Sequence, residues 1–343
     1  MNSSSAAPRV FLLAVGLLAG PALAEDPPAA TPPGTAPVTA ATPAIIPATE
    51  PPRDRRLLNG HAFQPSDVAP PIPVSSFGLE VDFASGSATA PKYDLQGNPT
   101  GEYRTYSWVG MGQAVRFQTQ FFDQLLLRGA LTTGLYSGID TKSILVVGIS
   151  VPVGISLGVE WSMPVGQQVR LGASLDVNNA PQLNLLVAAA IINAIRSDQV
   201  DGAGALQIGN SLGVLPALSV AWAPRPAYGL AARVAYLASS TDTGGYGTIS
   251  RQALALGLAG DVDLQKVWQV PVGLGLSYVE TIPVDGTPAG IRNLSLSAMY
   301  TGKKDVAVGA VVGERVLNIR PQYDIPLKST SPYLDVVLRI YWP

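Results

Sequence analysis

The sequence predicts an all-β fold, an antiparallel transmembrane β-barrel of about twelve strands. From residue 76 onward, apolar residues recur at every second position in short runs, the period of a strand with one apolar face. Only 13% of the 343 residues are charged, against about 25% in an average soluble domain. No run after the N-terminal region stays apolar over the ~20 residues that a spanning helix needs. An apolar chain of this kind can cross a bilayer as a closed barrel.

Residues 1–24 have the pattern of a secretory signal peptide. Arg9 supplies a positive start, Val10 to Leu18 form an apolar core, and Ala22-Leu23-Ala24 is a small-residue cleavage site. The apolar core is about half as long as a spanning helix. We therefore expect export of a mature chain that begins at Glu25.

Residues 25–75 are predicted to be a periplasmic linker followed by a transition segment. Up to residue 52 the composition is Pro, Ala and Thr, which favours an extended linker. Residues 53–75 add an arginine cluster and the single histidine, His61. We expect His61 to be an ordinary packed or exposed side chain, since no second His and no Cys exists to share a metal.

Composition excludes several classes of function. The absence of cysteine removes disulfides and thiolate chemistry, and one histidine cannot supply a two-imidazole site. We therefore expect no metal and no cofactor. The formal net charge of −2 gives no reason to expect a nucleic-acid partner.

Twelve strands are predicted within residues 76–343. The clearest pair is 153–163 with 167–178, where Leu157 and Trp161 share one face and Glu160 lies on the other. A fourteen-strand alternative follows if residues 141–151 form strands of their own. The predicted strands are 76–84, 104–119, 124–136, 153–163, 167–178, 213–223, 227–239, 250–263, 268–280, 291–301, 305–315 and 332–342.

The connections between these strands alternate between short and long, as they do in outer-membrane barrels. This alternation places both chain ends in the periplasm and the long loops outside. Aromatic residues near the strand ends are typical of the girdles at the two membrane interfaces; they are Trp161, Trp222, Tyr228, Trp268, Tyr278, Tyr300 and Trp342.

The chain ends SPYLDVVLRIYWP, with Leu334, Val336, Leu338, Ile340 and Trp342 at every second position. This run resembles the C-terminal signal of Gram-negative outer-membrane β-barrel proteins, which the barrel-assembly machinery recognises. Pro343 departs from the pattern, because members of the class usually end on the aromatic. The resemblance implies a barrel of the cell outer membrane with lipid and the assembly machinery as partners. It points to a class and to no single family.

The residues opposite the apolar faces would line the lumen. Six acids stand against five bases, so no strong ion selectivity is expected from net charge. These side chains either pair across strands to hold the wall or form a polar constriction. They are Glu80, Asp82, Glu160, Asp176, Asp261 and Asp335, with Arg116, Arg128, Arg170, Arg233 and Arg339.

An apolar stretch at 180–199 is predicted to form a short helix in an extracellular loop. Pro181 suits a first helical position, and Leu183, Val187, Ile191 and Ile195 lie on one stripe. Three roles are open for it: a plug of the barrel mouth, a lipid-surface helix, or capture of an apolar solute. The last would resemble the transporters of long-chain fatty acids and aromatic hydrocarbons.

Three functions follow in order of preference. The first is a channel or transporter for passive passage of small molecules, including apolar solutes. The second is a structural or adhesive barrel with a plugged lumen. The third, disfavoured because His61 precedes the first strand, is an outer-membrane hydrolase.

Overall fold

A computed structural model describes residues 57–93, 99–140, 146–185, 206–242, 248–284, 289–319 and 327–342. All of these belong to one compact unit, Pro52–Pro343. Within the described residues no helix has both the length and the apolar character needed to span a membrane.

Fourteen strands and one helix make up the described structure. The strands are β1 Leu57–Leu58, β2 His61–Ala62, β3 Ser75–Tyr93, β4 Pro99–Gln120, β5 Leu125–Asp140, β6 Val146–Val165, β7 Val169–Leu185, β8 Leu206–Arg225, β9 Tyr228–Asp242, β10 Thr248–Asp263, β11 Val272–Pro283, β12 Ala289–Lys303, β13 Val306–Ile319 and β14 Leu327–Trp342. The helix is α1, Leu264–Trp268.

Strands β3 to β14 form a closed barrel in which each strand pairs antiparallel with its neighbours in sequence. The last strand closes on the first, with Trp342 opposite Ser75 and Asp335 opposite Asp82. The predicted fold class and the count of twelve barrel strands are thus confirmed. The segment that raised the fourteen-strand alternative is, from Val146 onward, the outer part of β6.

The two faces of the barrel wall alternate as the period-two pattern predicts. In β6 the side chains of Ile155, Leu157 and Trp161 are 50%, 52% and 45% exposed, whereas Glu160 and Ser162 are almost fully buried. The same contrast recurs around the barrel, so the outside is an apolar belt. The inside carries charged, polar and small residues, with one apolar cluster around Met299 and Val311. Such a belt is stable only in contact with lipid.

Aromatic side chains mark one edge of this belt. Trp161, Trp222, Tyr228, Tyr300 and Trp342 are each 39–45% exposed and lie near the rim formed by the short turns. We call this the turn rim; Ser75 and Trp342 lie on it as well. Tyr278 lies farther along its strand and donates a hydrogen bond to Glu280.

The strands run farther from the turn rim than predicted. The prediction ended β3 at residue 84 and placed a loop at 85–103, but β3 continues to Tyr93 and β4 begins at Pro99. Strands β3 to β8 contain 16 to 22 residues. About ten tilted residues cross the ~25 Å apolar layer, so the outer halves stand beyond the lipid. They lack apolar alternation for that reason, and the prediction missed them.

The structure also corrects the predicted helix. Residues 181–185 continue β7, so no helix begins at Pro181. The rest of the stretch, including Val187, Ile191 and Ile195, lies outside the described residues. The helix that the structure does contain, α1, occupies the turn predicted at 264–267. Asp263 caps its N-terminus by accepting a hydrogen bond from the Gln265 amide.

Candidate functional site

The charged side chains predicted for the lumen lie on the inner face of the wall, and several of them meet. Arg339, Gly78 and Arg116 stand directly opposite one another across β14, β3 and β4. Arg128, Gly158 and Asp176 do the same across β5, β6 and β7. The charges therefore form an arc along one side of the lumen.

The centre of this arc is a network around Arg128. Its Nε and one terminal nitrogen donate to the two oxygens of Asp176 at 2.7 and 2.6 Å, and the other terminal nitrogen donates to Glu160 at 2.7 Å. Arg233, from β9, donates to the same Asp176 at 2.9 Å. Glu160 is almost fully buried, so its charge requires this partner. Two arginines and two carboxylates thus link four strands.

A second ion pair extends the arc toward β14. Arg116 donates through Nε to Glu80 at 2.8 Å, and a terminal nitrogen of Arg339 lies 3.6 Å from the other oxygen of Glu80. Arg170 lies apart from both groups, where it donates to Ser162 and to the Asp123 carbonyl near the turn rim.

Gly158 makes the Arg128–Asp176 contact possible, because a Cβ there would overlap the Asp176 carboxylate and lie 3.1 Å from Arg128 Nε. We expect Gly158→Ala to lower the free energy of unfolding by roughly 2 kcal/mol, since it disrupts a partly buried charge network. Urea unfolding in lipid vesicles measures this. Gly213→Ala is the control, because its nearest neighbours lie at an ordinary 3.5 Å; equal losses in both variants would contradict the account.

Asp82 and Asp335 face each other where the barrel closes. Each has one buried carboxylate oxygen with no hydrogen-bond partner among the described groups. Of the two alternatives for the lumen charges, pairing with an opposite charge on a neighbouring strand does not describe these two aspartates, which face each other. Their proximity depends on the β14–β3 pairing, which strand periodicity does not reveal.

Residues 57–74, which belong to the predicted transition segment, enter the barrel. We call these residues the N-terminal segment. The segment begins with a tight hairpin in which Leu58 pairs with His61. Asn59 and Gly60 have φ of 49° and 76°, the conformation of the two-residue turns for which Asn-Gly is preferred. The Asn59 side chain then donates to the Ala223 carbonyl of β8 at 2.9 Å.

His61 fixes the hairpin to the wall. Its Nε2 lies 2.6 Å from Asp261 of β10, and its Nδ1 lies 3.2 Å from the Pro226 carbonyl. The imidazole is completely buried, as expected for a packed histidine. Asp261, predicted to line the lumen, is therefore an anchor for this segment.

Asp67 fixes the middle of the segment to the opposite part of the wall. One of its oxygens accepts hydrogen bonds from Asn293 at 2.8 Å, Ser295 at 3.0 Å, Ser277 at 3.3 Å and Tyr333 at 3.5 Å. These donors come from β11, β12 and β14. A carboxylate with several donors holds its position more firmly than a neutral acceptor would.

Small residues on the inner wall make room for the segment. Val68 packs over Gly257 and Pro71 over Gly172, so closely that a Cβ at either glycine would collide with them. Leu58 and Ile72 pack with Ala221 and Ala223 of β8 in a small buried cluster. The inward glycines and alanines of these strands therefore accommodate a polypeptide.

A cavity of about 640 Å³ remains between the segment and the charged arc. It begins at the turn rim, where Lys266, Lys303 and Lys304 line it, and it reaches Asn178 and Leu215 well inside the barrel. Its walls include Arg116, Arg128, Arg233 and Arg339 on one side and Asp67 on the other. The cavity has the size of a small-molecule site.

The remaining predicted residues have structural positions. Leu334, Val336, Ile340 and Trp342, from the C-terminal pattern, are 41–46% exposed on the outer face of β14. Leu338 lies between them and is partly covered. Leu183 belongs to β7, and its three predicted stripe partners lie outside the described residues.

One signal in the sequence could have pointed to the segment. Asn59-Gly60 between apolar pairs is the strongest short-range hairpin signal. The side chains that donate to Asp67 lie more than 200 residues away in the chain, so no local pattern reveals its partners.

No family model matches the chain, and no curated protein matches it. The solved structures that it resembles are outer-membrane β-barrel proteins. A Pseudomonas aeruginosa FadL homologue aligns with TM-score 0.48 and 10% identity over 83% of this chain and 97% of its own. The Pseudomonas putida toluene transporter TodX aligns with TM-score 0.41 and 10% identity over 78% and 89%. The KdgM porin gives 0.41 and 8% over 77% and 99%.

Proposed function

We propose that this chain is an outer-membrane channel that passes small water-soluble solutes through the space beside its N-terminal segment. The observation that carries the proposal is the cavity, which runs from the turn rim to side chains well inside the barrel. The apolar belt supports a position in lipid, and the short turns, which face the periplasm in outer-membrane barrels, support a periplasmic turn rim.

The chemistry of the cavity favours polar solutes over apolar ones. Guanidinium and carboxylate groups of β14, of β3 to β7 and of β9 line it, together with lysines at the turn rim. An apolar solute would have to displace water from these charges without replacing its hydrogen bonds, which is costly. The earlier alternative of an apolar solute therefore loses support within the described lumen.

Liposome swelling tests the proposal. Full-length protein in vesicles is expected to admit a monosaccharide such as arabinose faster than a tetrasaccharide such as stachyose, because the segment narrows the lumen. Vesicles without protein give the background rate. Correctly inserted protein with no swelling in either sugar would contradict the proposal.

A structural barrel with a plugged lumen is the second candidate. The observation that favours it is the set of anchors on the N-terminal segment, at Asn59, His61 and Asp67. Under this alternative the cavity ends blindly, and no solute enters the vesicles.

We do not propose hydrolysis. Both ring nitrogens of His61 already contact protein acceptors, Asp261 and the Pro226 carbonyl. A general base in a Ser-His-Asp arrangement needs one nitrogen toward the nucleophile, and the ring of His61 offers none.

A further inference from the structure

The formal charges that line the cavity nearly balance, but its hydrogen-bonding capacity does not. A guanidinium carries five N–H donors. Arg116 uses Nε on Glu80, and its terminal nitrogens have no partner among the described residues. Arg339 touches Glu80 only at 3.6 Å, beyond hydrogen-bond distance. Both side chains line the cavity.

The carboxylate beside these arginines, that of Glu80, is already engaged by both of them. Each oxygen of Glu80 faces one arginine. Both oxygens of Asp176, farther along the arc, are also occupied by arginines. The arc therefore presents unused donors toward the cavity and few free acceptors.

Gly78 leaves a space between the two arginines that carry these donors. It lies directly between Arg339 and Arg116 in the sheet, with a Cβ position 3.6 Å from Arg339 Nε and 3.7 Å from Arg116 Cβ. Because glycine has no side chain, a notch opens between two guanidinium groups whose backbones are about 10 Å apart. We call this the Gly78 notch.

The other acidic groups of the cavity do not neutralise the two arginines beside the Gly78 notch. Asp335 lies four residues farther along β14 than Arg339, about 13 Å away along the strand, and it faces Asp82. One oxygen of Asp67 is engaged with four donors from the wall. Toward the turn rim, Lys303 and Lys304 line the cavity with no ion pair among the described residues.

We propose that the Gly78 notch binds an oxyanion, a carboxylate or phosphate group of a small solute, between Arg116 and Arg339. The inference deepens the proposed channel function, on which it rests, by naming the class of solute. Planar guanidinium forks match both oxyanions. The occupied carboxylates remove the competing acceptors.

Equilibrium dialysis of full-length protein in detergent tests this, with radiolabelled inorganic phosphate and radiolabelled succinate as separate probes. We expect saturable binding of at least one probe, and the better one indicates which oxyanion the site favours. Arg116→Gln and Arg339→Gln are each expected to weaken that binding about tenfold, the loss of one or two charge-assisted hydrogen bonds.

Three further variants sharpen the test. Arg292→Gln is the matched control, because Arg292 also donates through Nε to a glutamate at 2.8 Å but lies on β12 away from the cavity; it should bind as wild type. Gly78→Val fills the notch without altering a charge and should abolish binding. Glu80→Gln frees the arginines and should strengthen it.

The outcomes separate the two proposals. Equal binding by wild type, Arg116→Gln and Gly78→Val, or no saturable binding of either probe, overturns the oxyanion site even if vesicles swell. Binding that these variants abolish, in a protein that admits no sugar, overturns the channel and leaves the site. Circular dichroism of each variant shows whether it has folded.

Discussion

Deleting residues 57–74 is expected to raise the conductance of the barrel roughly two- to fivefold. The N-terminal segment covers the inner wall from β7 to β12 and leaves the cavity along the charged arc. A twelve-stranded barrel has a wider interior than the eight-stranded barrels that side chains fill. Removing the segment therefore enlarges the free cross-section that carries ions. Single-channel recording in a planar bilayer measures the change.

A chain that lacks only residues 25–52 is the control for this deletion. It shortens the N-terminal region and keeps every anchor of the segment, so its conductance should equal that of the full-length protein. Asp67→Ala is a milder variant, since it removes the shared acceptor of Asn293 and Ser295 and keeps the rest of the segment. It should give an intermediate or fluctuating conductance. A deletion that inserts normally and conducts like wild type would show that the segment does not restrict the lumen.

The second large effect is expected from a disulfide between the segment and the wall. A Cβ at Gly257 would lie 3.7 Å from the Cβ of Val68, within the ~3.5–4.5 Å that disulfides require. In Val68→Cys/Gly257→Cys the bond should form nearly completely on oxidation and fix the segment in the lumen. The protein has no cysteine of its own, so no other pairing competes. Gel mobility with and without reductant detects the bond.

Val68→Cys/Gly129→Cys is the matched control. Gly129 is also a strand glycine, but it lies beneath the outward-facing ring of Phe117, so a segment inside the barrel cannot reach it. A bond in the control, or none in the Gly257 pair, would contradict the placement of the segment. The disulfide should also raise the free energy of unfolding by about 2–4 kcal/mol.

Strand periodicity was sufficient to predict the wall. Ile155, Leu157 and Trp161 face lipid and Glu160 faces inward because a one-residue shift would reverse every side chain. The alternation of short and long connections gave the count of twelve. Strand periodicity did not predict the outer halves of strands such as β3, because residues beyond the lipid need no apolar face.

The lumen was predictable only in its residue types. Strand patterns assign Arg128, Glu160 and Asp176 to the inside, but their contacts depend on register and on the gap that Gly158 leaves. The pairing of His61 with Asp261 joins residues 200 positions apart. The stretch at 180–199 is conspicuous because its apolar residues are contiguous, whereas the anchors of the N-terminal segment are single polar residues with distant partners.

Single-channel conductance of the full-length protein is the measurement that tests the central claim most directly. The proposed channel predicts small, steady, ohmic steps through the charged cavity beside the N-terminal segment. A correctly inserted barrel that stays electrically silent, both with the segment and after its deletion, would contradict the account.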